Sequence, residues 1–91
     1  MSPFLGGSAY GMAGQISEGY TLLTAVQLKR LTLDEMAQLQ FELERLARDL
    51  RAEQVPLDDI PALQAKNRRL SRITSALQAI QAARARWRHG S

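Results

Sequence analysis

The feature that most constrains this chain is an amphipathic stretch in the middle of the sequence. Between Leu33 and Gln54, apolar side chains recur at alternating spacings of three and four residues. This is the pattern of a helix that packs lengthwise on another helix. Thr32 and Glu35 form a capping box, in which the hydroxyl and the carboxylate accept hydrogen bonds from backbone N–H groups at the helix start. The stretch therefore predicts a helix over residues 33–54 that needs a helical partner.

A second amphipathic helix is predicted over residues 58–88. Pro56 has no N–H to donate and disfavours helix in the residue before it, so the first helix ends there. Asp58 or Asp59 can cap the next helix, and Pro61 is acceptable in a first turn. A connection this short makes the helices antiparallel neighbours. The predicted fold is all-α, an antiparallel and coiled-coil-like helical hairpin.

Folding this hairpin at the turn brings apolar positions of the two helices together, for example Leu43 opposite Leu70. Asn67 is the polar member of the set, and it either fixes the register of the helices or lies at an edge and reaches water. One hairpin covers one stripe of each helix, so we expect further burial, most simply by a dimer that completes a four-helix bundle. The predicted helix–helix contact residues are Met36, Leu39, Leu43, Leu46, Leu50, Leu63, Asn67, Leu70, Ile73, Leu77 and Ile80.

The N-terminal third of the chain carries weaker signals. Residues 1–15 are rich in glycine and poor in apolar surface, which predicts a flexible arm preceding a hairpin domain over residues 16–91. Residues 16–31 fit a short helix or an extended segment, and we favour the helix because a lone strand would have nothing to pair with. The alternative for the arm is a docking peptide, whose anchors would be Phe4, Leu5, Tyr10 and Met12.

The charge is unevenly distributed along the chain, whose net charge is +3. Acids outnumber bases in the first long helix, and bases outnumber acids in the second. Opposite charge favours pairing of the helices and helps to select a partner. Basic side chains are also suited to phosphate groups. The candidate contacts for a partner or for nucleic acid are Lys66, Arg68, Arg69, Arg72, Arg84 and Arg88.

No catalytic, cofactor-binding or metal-binding set is predicted. The chain has no cysteine and a single histidine, His89, close to its end. The acid pairs Asp34–Glu35 and Asp58–Asp59 lie where helix starts favour negative charge, so capping explains them. No apolar run approaches the ~20 residues that a bilayer requires. We expect a cytoplasmic protein.

Together these patterns predict a non-enzymatic protein–protein interaction module: a small helical adaptor, assembly or regulatory subunit. The expected partner is a second copy, giving a homodimer, or a helical partner subunit. The alternative is a nucleic-acid-binding protein that uses the arginine-rich second helix and the C-terminal tail.

Overall fold

The computed structural model describes Phe4 and residues 7–90, the last three as backbone alone. In this part of the chain there are four helices and no strand, so the all-α prediction is confirmed. The molecule measures 50 × 27 × 18 Å. The helices are α1 (Ala9–Glu18), α2 (Ala25–Leu28), α3 (Leu33–Ala52) and α4 (Ile60–Gly90).

Side-chain caps determine where the helices begin. At α3, the Thr32 hydroxyl accepts from the Glu35 N–H at 3.1 Å, and the Glu35 carboxylate accepts from the Thr32 N–H at 2.8 Å. Thr24 and Gln27 form a second capping box at α2. At α4, the Asp59 carboxylate accepts from a backbone N–H in the first turn. Each of these bonds satisfies a donor that the helix itself leaves unpaired.

Helix α1 overturns the prediction of a flexible arm over residues 9–15. Ser8 caps this helix by accepting from a backbone N–H at 3.0 Å. Met12 and Ile16, one turn apart, are fully buried together with Ala13. Glycine in a helix costs about 0.5–1 kcal/mol relative to alanine, and burying a large apolar side chain contributes about 1.5–3 kcal/mol. Burial of the two large side chains therefore offsets the two glycines of this helix.

The structure also bears on two other predictions, the docking-peptide alternative for the arm and the conformation of residues 16–31. Of the proposed anchors, Met12 is buried in the core and Tyr10 is exposed, while Leu5 lies outside the described residues. The segment 16–31 begins inside α1 and contains the single-turn helix α2, with non-helical residues between them. It is therefore partly helical and partly irregular.

The core lies where α1, α3 and α4 meet, because α1 packs against both long helices. On α3, the predicted contact residues Met36, Leu39, Leu43 and Leu50 are buried and Leu46 is half-buried. The buried apolar side chains of α4 are Ile73, Ala76, Ile80 and Ala83.

The buried stripe of α4 includes Ile73 and Ile80 of the predicted set, but it is rotated from the predicted inner face toward Ala76 and Ala83. Asn67 is exposed, which fits an amide that reaches water and contradicts a role in the helix–helix contact. The predicted contact residues that are only half-buried on α4 are Leu63, Leu70 and Leu77. The physical reason is that α4 packs against α1 as well as α3, so its buried stripe faces between these two helices rather than α3 alone.

The relative position of α3 and α4 also differs from the predicted one. The predicted turn would put Glu53 opposite Ile60, whereas Lys66 Nζ donates to the Glu53 carbonyl oxygen at 2.7 Å. The chain leaves the helix at Glu53, whose backbone is extended, and residues 54–56 are irregular before a turn at residues 57–58. An extended residue spans about 3.3 Å and a helical one 1.5 Å, so α4 begins beyond the end of α3. The predicted pairing of Leu43 with Leu70 shifts accordingly.

Candidate interaction surfaces

Two of the predicted basic contact residues bind the C-terminal end of α1. Arg69 Nε lies 3.2 Å from a carboxylate oxygen of Glu18. Arg72 Nη1 donates to the carbonyl oxygen of Ser17 at 3.1 Å. The last carbonyls of a helix carry partial negative charge and lack intrahelical partners, so a guanidinium there stabilises the helix end. These arginines hold α1 against α4.

Two more of these cations bind α3 or the segment that follows it. Lys66 binds the Glu53 carbonyl, as described above, and Arg84 Nη1 donates to Gln40 Oε1 at 2.7 Å. Arg68 is exposed and forms no hydrogen bond or ion pair with the described residues. The side chain of Arg88, like that of His89, lies outside the described residues. Four of the six predicted basic residues therefore form hydrogen bonds within the chain, and one of them, Arg69, is in an ion pair.

The aromatic residues are unusual in being mostly on the surface. The chain has five aromatic residues, and Tyr10 is 61%, Tyr20 82%, Phe41 56% and Trp87 39% exposed. The fully buried large side chains are methionine, leucine and isoleucine. Aromatic rings contribute large apolar areas when they are covered, and contiguous exposed apolar surface marks contact sites.

Two of these aromatic residues border a groove between α1 and α3, with a volume of about 330 Å³. We call it the α1–α3 groove; it is lined by Tyr10, Gly11, Gly14, Gln15, Glu18, Tyr20 and Leu46. The guanidinium carbon of Arg45 lies 5.8 Å from the centre of the Tyr10 ring, within cation–π range. Phe41 is one turn before Arg45 on the exposed side of α3. We call Tyr10, Tyr20 and Phe41 the aromatic face.

A second groove, of about 400 Å³, lies at the other end of α3. Its wall is built by α2, the first turn of α3 and the C-terminal half of α4. We call it the α2–α4 groove, and it is lined by Ala25, Leu28, Lys29, Met36, Ala83, Arg86 and Trp87.

The aromatic face was not predicted, although part of its signal is in the sequence. Phe41 lies two residues from Leu39 and from Leu43, so helical geometry turns it away from the buried stripe. Tyr20 follows Gly19 in an irregular segment, where no periodicity indicates which side chains are exposed. The contact with Tyr10 depends on α1, which was not predicted as a helix.

Metal and membrane sites are not found in the described part of the chain. No three or more histidine, cysteine or acidic side chains of the described residues lie close enough together to hold a metal ion. Among the described helices, none combines the length and apolarity needed to cross a membrane. No protein-family model matches the chain, and it has no match among curated proteins or solved structures.

Proposed function

We propose that this chain is a non-enzymatic protein–protein interaction module, acting as a small helical adaptor, assembly or regulatory subunit. The observation that supports it best is the exposure of four aromatic side chains in a molecule whose core is aliphatic. Tyrosine, tryptophan and arginine dominate the binding energy of protein interfaces. The aromatic face combines two tyrosines and a phenylalanine with Arg45, which contacts the Tyr10 ring, so it has the composition of such an interface.

The shape of the α1–α3 groove favours a helical partner subunit. Gly11 and Gly14 lie on its floor, and a side chain built on Gly14 would meet nothing within 4 Å. A partner backbone can therefore approach closely between the rings of Tyr10 and Tyr20. Since α1 supplies the extra burial that a homodimer was expected to provide, we favour a helical partner over a homodimer formed through the long helices. The absence of cysteine is compatible with the reducing cytoplasm, where we propose that the module acts.

The nucleic-acid alternative has less support. Four of the six proposed basic contacts are hydrogen-bonded to α1, to α3 or to the segment after α3. These internal bonds restrict the orientation of the four side chains, although each cation keeps further N–H donors. Titration of duplex and single-stranded nucleic acid at low salt should accordingly show no affinity that falls steeply with salt.

Site-specific photo-crosslinking in host cells tests the protein-interaction proposal. A benzoylphenylalanine at position 41 should give discrete crosslinked products, because the ring projects from the aromatic face. The same residue at position 74 is the control, since Thr74 is exposed on the polar side of α4. Equal products at both positions, or none at position 41, would contradict the proposal.

A paired substitution sharpens this experiment. Tyr20→Ser removes a ring that is 82% exposed, so it should leave stability unchanged and lower the crosslinking yield at position 41 several-fold. Leu22→Ser is the matched control, because Leu22 is 78% exposed and lines neither the α1–α3 groove nor the α2–α4 groove. If both substitutions lower the yield equally, general surface apolarity and not the aromatic face determines binding.

A further inference from the structure

The connection between α3 and α4 exposes apolar side chains beside acidic ones. Leu57 is 87% and Ile60 54% exposed, and Asp58 and Asp59 lie between them. We call residues 57–60 the loop tip. Exposed leucine and isoleucine at the end of a molecule contribute nothing to its core, and here they are combined with two negative charges.

The α2–α4 groove has the complementary chemistry. Its floor includes Leu28, Met36 and Ala83, which are buried apolar residues, and Trp87 lies along it. Lys29 and Arg86 are the charged residues of its lining, and no acid is among the described residues that line it. An occupant that suits this groove has an apolar anchor with negative charge next to it.

The loop tip and the groove lie at opposite ends of α3. Met36 is in the first turn of α3 and lines the groove, whereas the loop tip follows the last turn. A helix of this length spans about 30 Å at 1.5 Å per residue. The tip of one molecule therefore cannot enter its own groove, but it can enter the groove of another copy.

We propose that the loop tip of one copy docks in the α2–α4 groove of the next. Leu57 lies on the apolar floor, and Asp58 pairs with Lys29 and Arg86 at the rim. The volume of about 400 Å³ has room for Leu57 together with Ile60. The aromatic face takes no part in this contact, so it is independent of the function proposed above.

This contact joins two different surfaces, so it is heterologous and differs from the two-fold dimer that the sequence predicts. Repetition of such a contact produces a ring if the rotation closes and a filament if it does not. The interface is small, and interfaces of this size are weak. Association should therefore increase with concentration up to about 1 mM and decrease with added salt, because the charge pairs are exposed.

Sedimentation equilibrium of the whole chain at about 0.05–1 mM tests the proposal, since weak interfaces require such concentrations. The wild type should associate beyond a dimer. Leu57→Ser should weaken association at least tenfold and leave the melting temperature unchanged, because this side chain is almost fully exposed. Tyr20→Ser, on the aromatic face, is the matched control and should associate like the wild type.

Charge reversal gives the decisive comparison. The variant Asp58→Lys places a positive charge at the pairing position of the tip and keeps the basic groove, and the variant Lys29→Glu/Arg86→Glu keeps Asp58 and carries an acidic groove. Each should be monomeric alone, and an equimolar mixture should associate again because every tip then meets an opposite groove. Asp59 is kept because it caps α4. A monomeric wild type, association that survives Leu57→Ser, or a mixture that stays monomeric would each overturn the proposal.

Discussion

Replacing Gly19 with alanine should lower the free energy of unfolding by about 2–3 kcal/mol, which combines a backbone cost and a contact cost. Gly19 ends α1 with φ of 85°, in the left-handed region. In this region a residue with a Cβ is about 1–2 kcal/mol higher in conformational energy than glycine. The added Cβ would also lie 2.9 Å from the guanidinium carbon of Arg72. The guanidinium is the flexible end of its side chain and can shift, but the shift weakens its bond to Ser17, which contributes about 0.5–1.5 kcal/mol.

Two other glycines provide matched controls that separate these costs. Gly14 lies inside α1 and an added Cβ would meet nothing within 4 Å, so Gly14→Ala should stabilise the protein by about 0.5–1 kcal/mol. Gly7 also has φ of 85°, but its Cβ would meet nothing. Gly7→Ala should therefore lower the free energy of unfolding by the backbone cost alone. The expected order of stability is Gly14→Ala, then wild type, then Gly7→Ala, then Gly19→Ala.

Thermal and urea unfolding followed by circular dichroism measures this order. At roughly 4–8 °C per kcal/mol for a domain of this size, Gly19→Ala should melt about 10–20 °C below the wild type. In the background Arg72→Ala, the contact is gone, and the cost of Gly19→Ala should fall to that of Gly7→Ala. Equal effects of Gly14→Ala and Gly19→Ala would refute the description of α1 and its end.

Three further predictions concern the core, a cap and the arginines. Leu43→Ala should cost about 2–5 kcal/mol in urea unfolding, and Leu70→Ala should cost clearly less because Leu70 is half-buried. The Lys66–Glu53 and Arg84–Gln40 bonds indicate a different register from the predicted one, so the two effects should add. Strong coupling in the double variant would restore the register predicted from the sequence. Thr32→Ala should cost about 1 kcal/mol in the same assay by removing the capping box of α3, and no loss at all would show that the box is unimportant. Arg72→Ala should speed amide hydrogen exchange in α1, whereas the exposed control Arg68→Ala should not. Equal exchange rates in the two variants would mean that apolar contacts alone hold α1 in place.

Sequence alone was sufficient for α3 because several signals coincide there. Its start is marked by Thr32 and Glu35, and its large buried side chains, such as Leu39 and Leu43, give a strong periodic pattern. For α4 the pattern included the buried Ile73 and Ile80 but placed the centre of the buried face on the side of Leu63, Leu70 and Leu77, which are only half-buried. Half of its buried stripe is alanine, at Ala76 and Ala83, and alanine carries too little apolar area to outweigh the half-buried leucines.

The candidate surfaces were harder to predict because they depend on contacts between distant segments. Arg69 and Arg72 resemble any solvent-exposed basic pair in the sequence, and only the packing of α1 shows that they bind its end. Helix α1 itself was hidden by its glycines, although Met12 and Ile16 have the spacing of one helical turn. The aromatic face requires α1 and α3 together, so no local pattern could indicate it.

The bonds that hold α1 also determine when this helix can complete its contacts during synthesis. Ser17 and Arg72 are 55 positions apart, and Glu18 and Arg69 are 51 apart. Because the ribosome makes the chain from its N-terminus, α1 exists before the residues that hold it have been added. Met12 and Ile16 must therefore remain without their α4 neighbours until α4 has been made, so α1, which is synthesised before the other three described helices, is among the last of them to complete its packing.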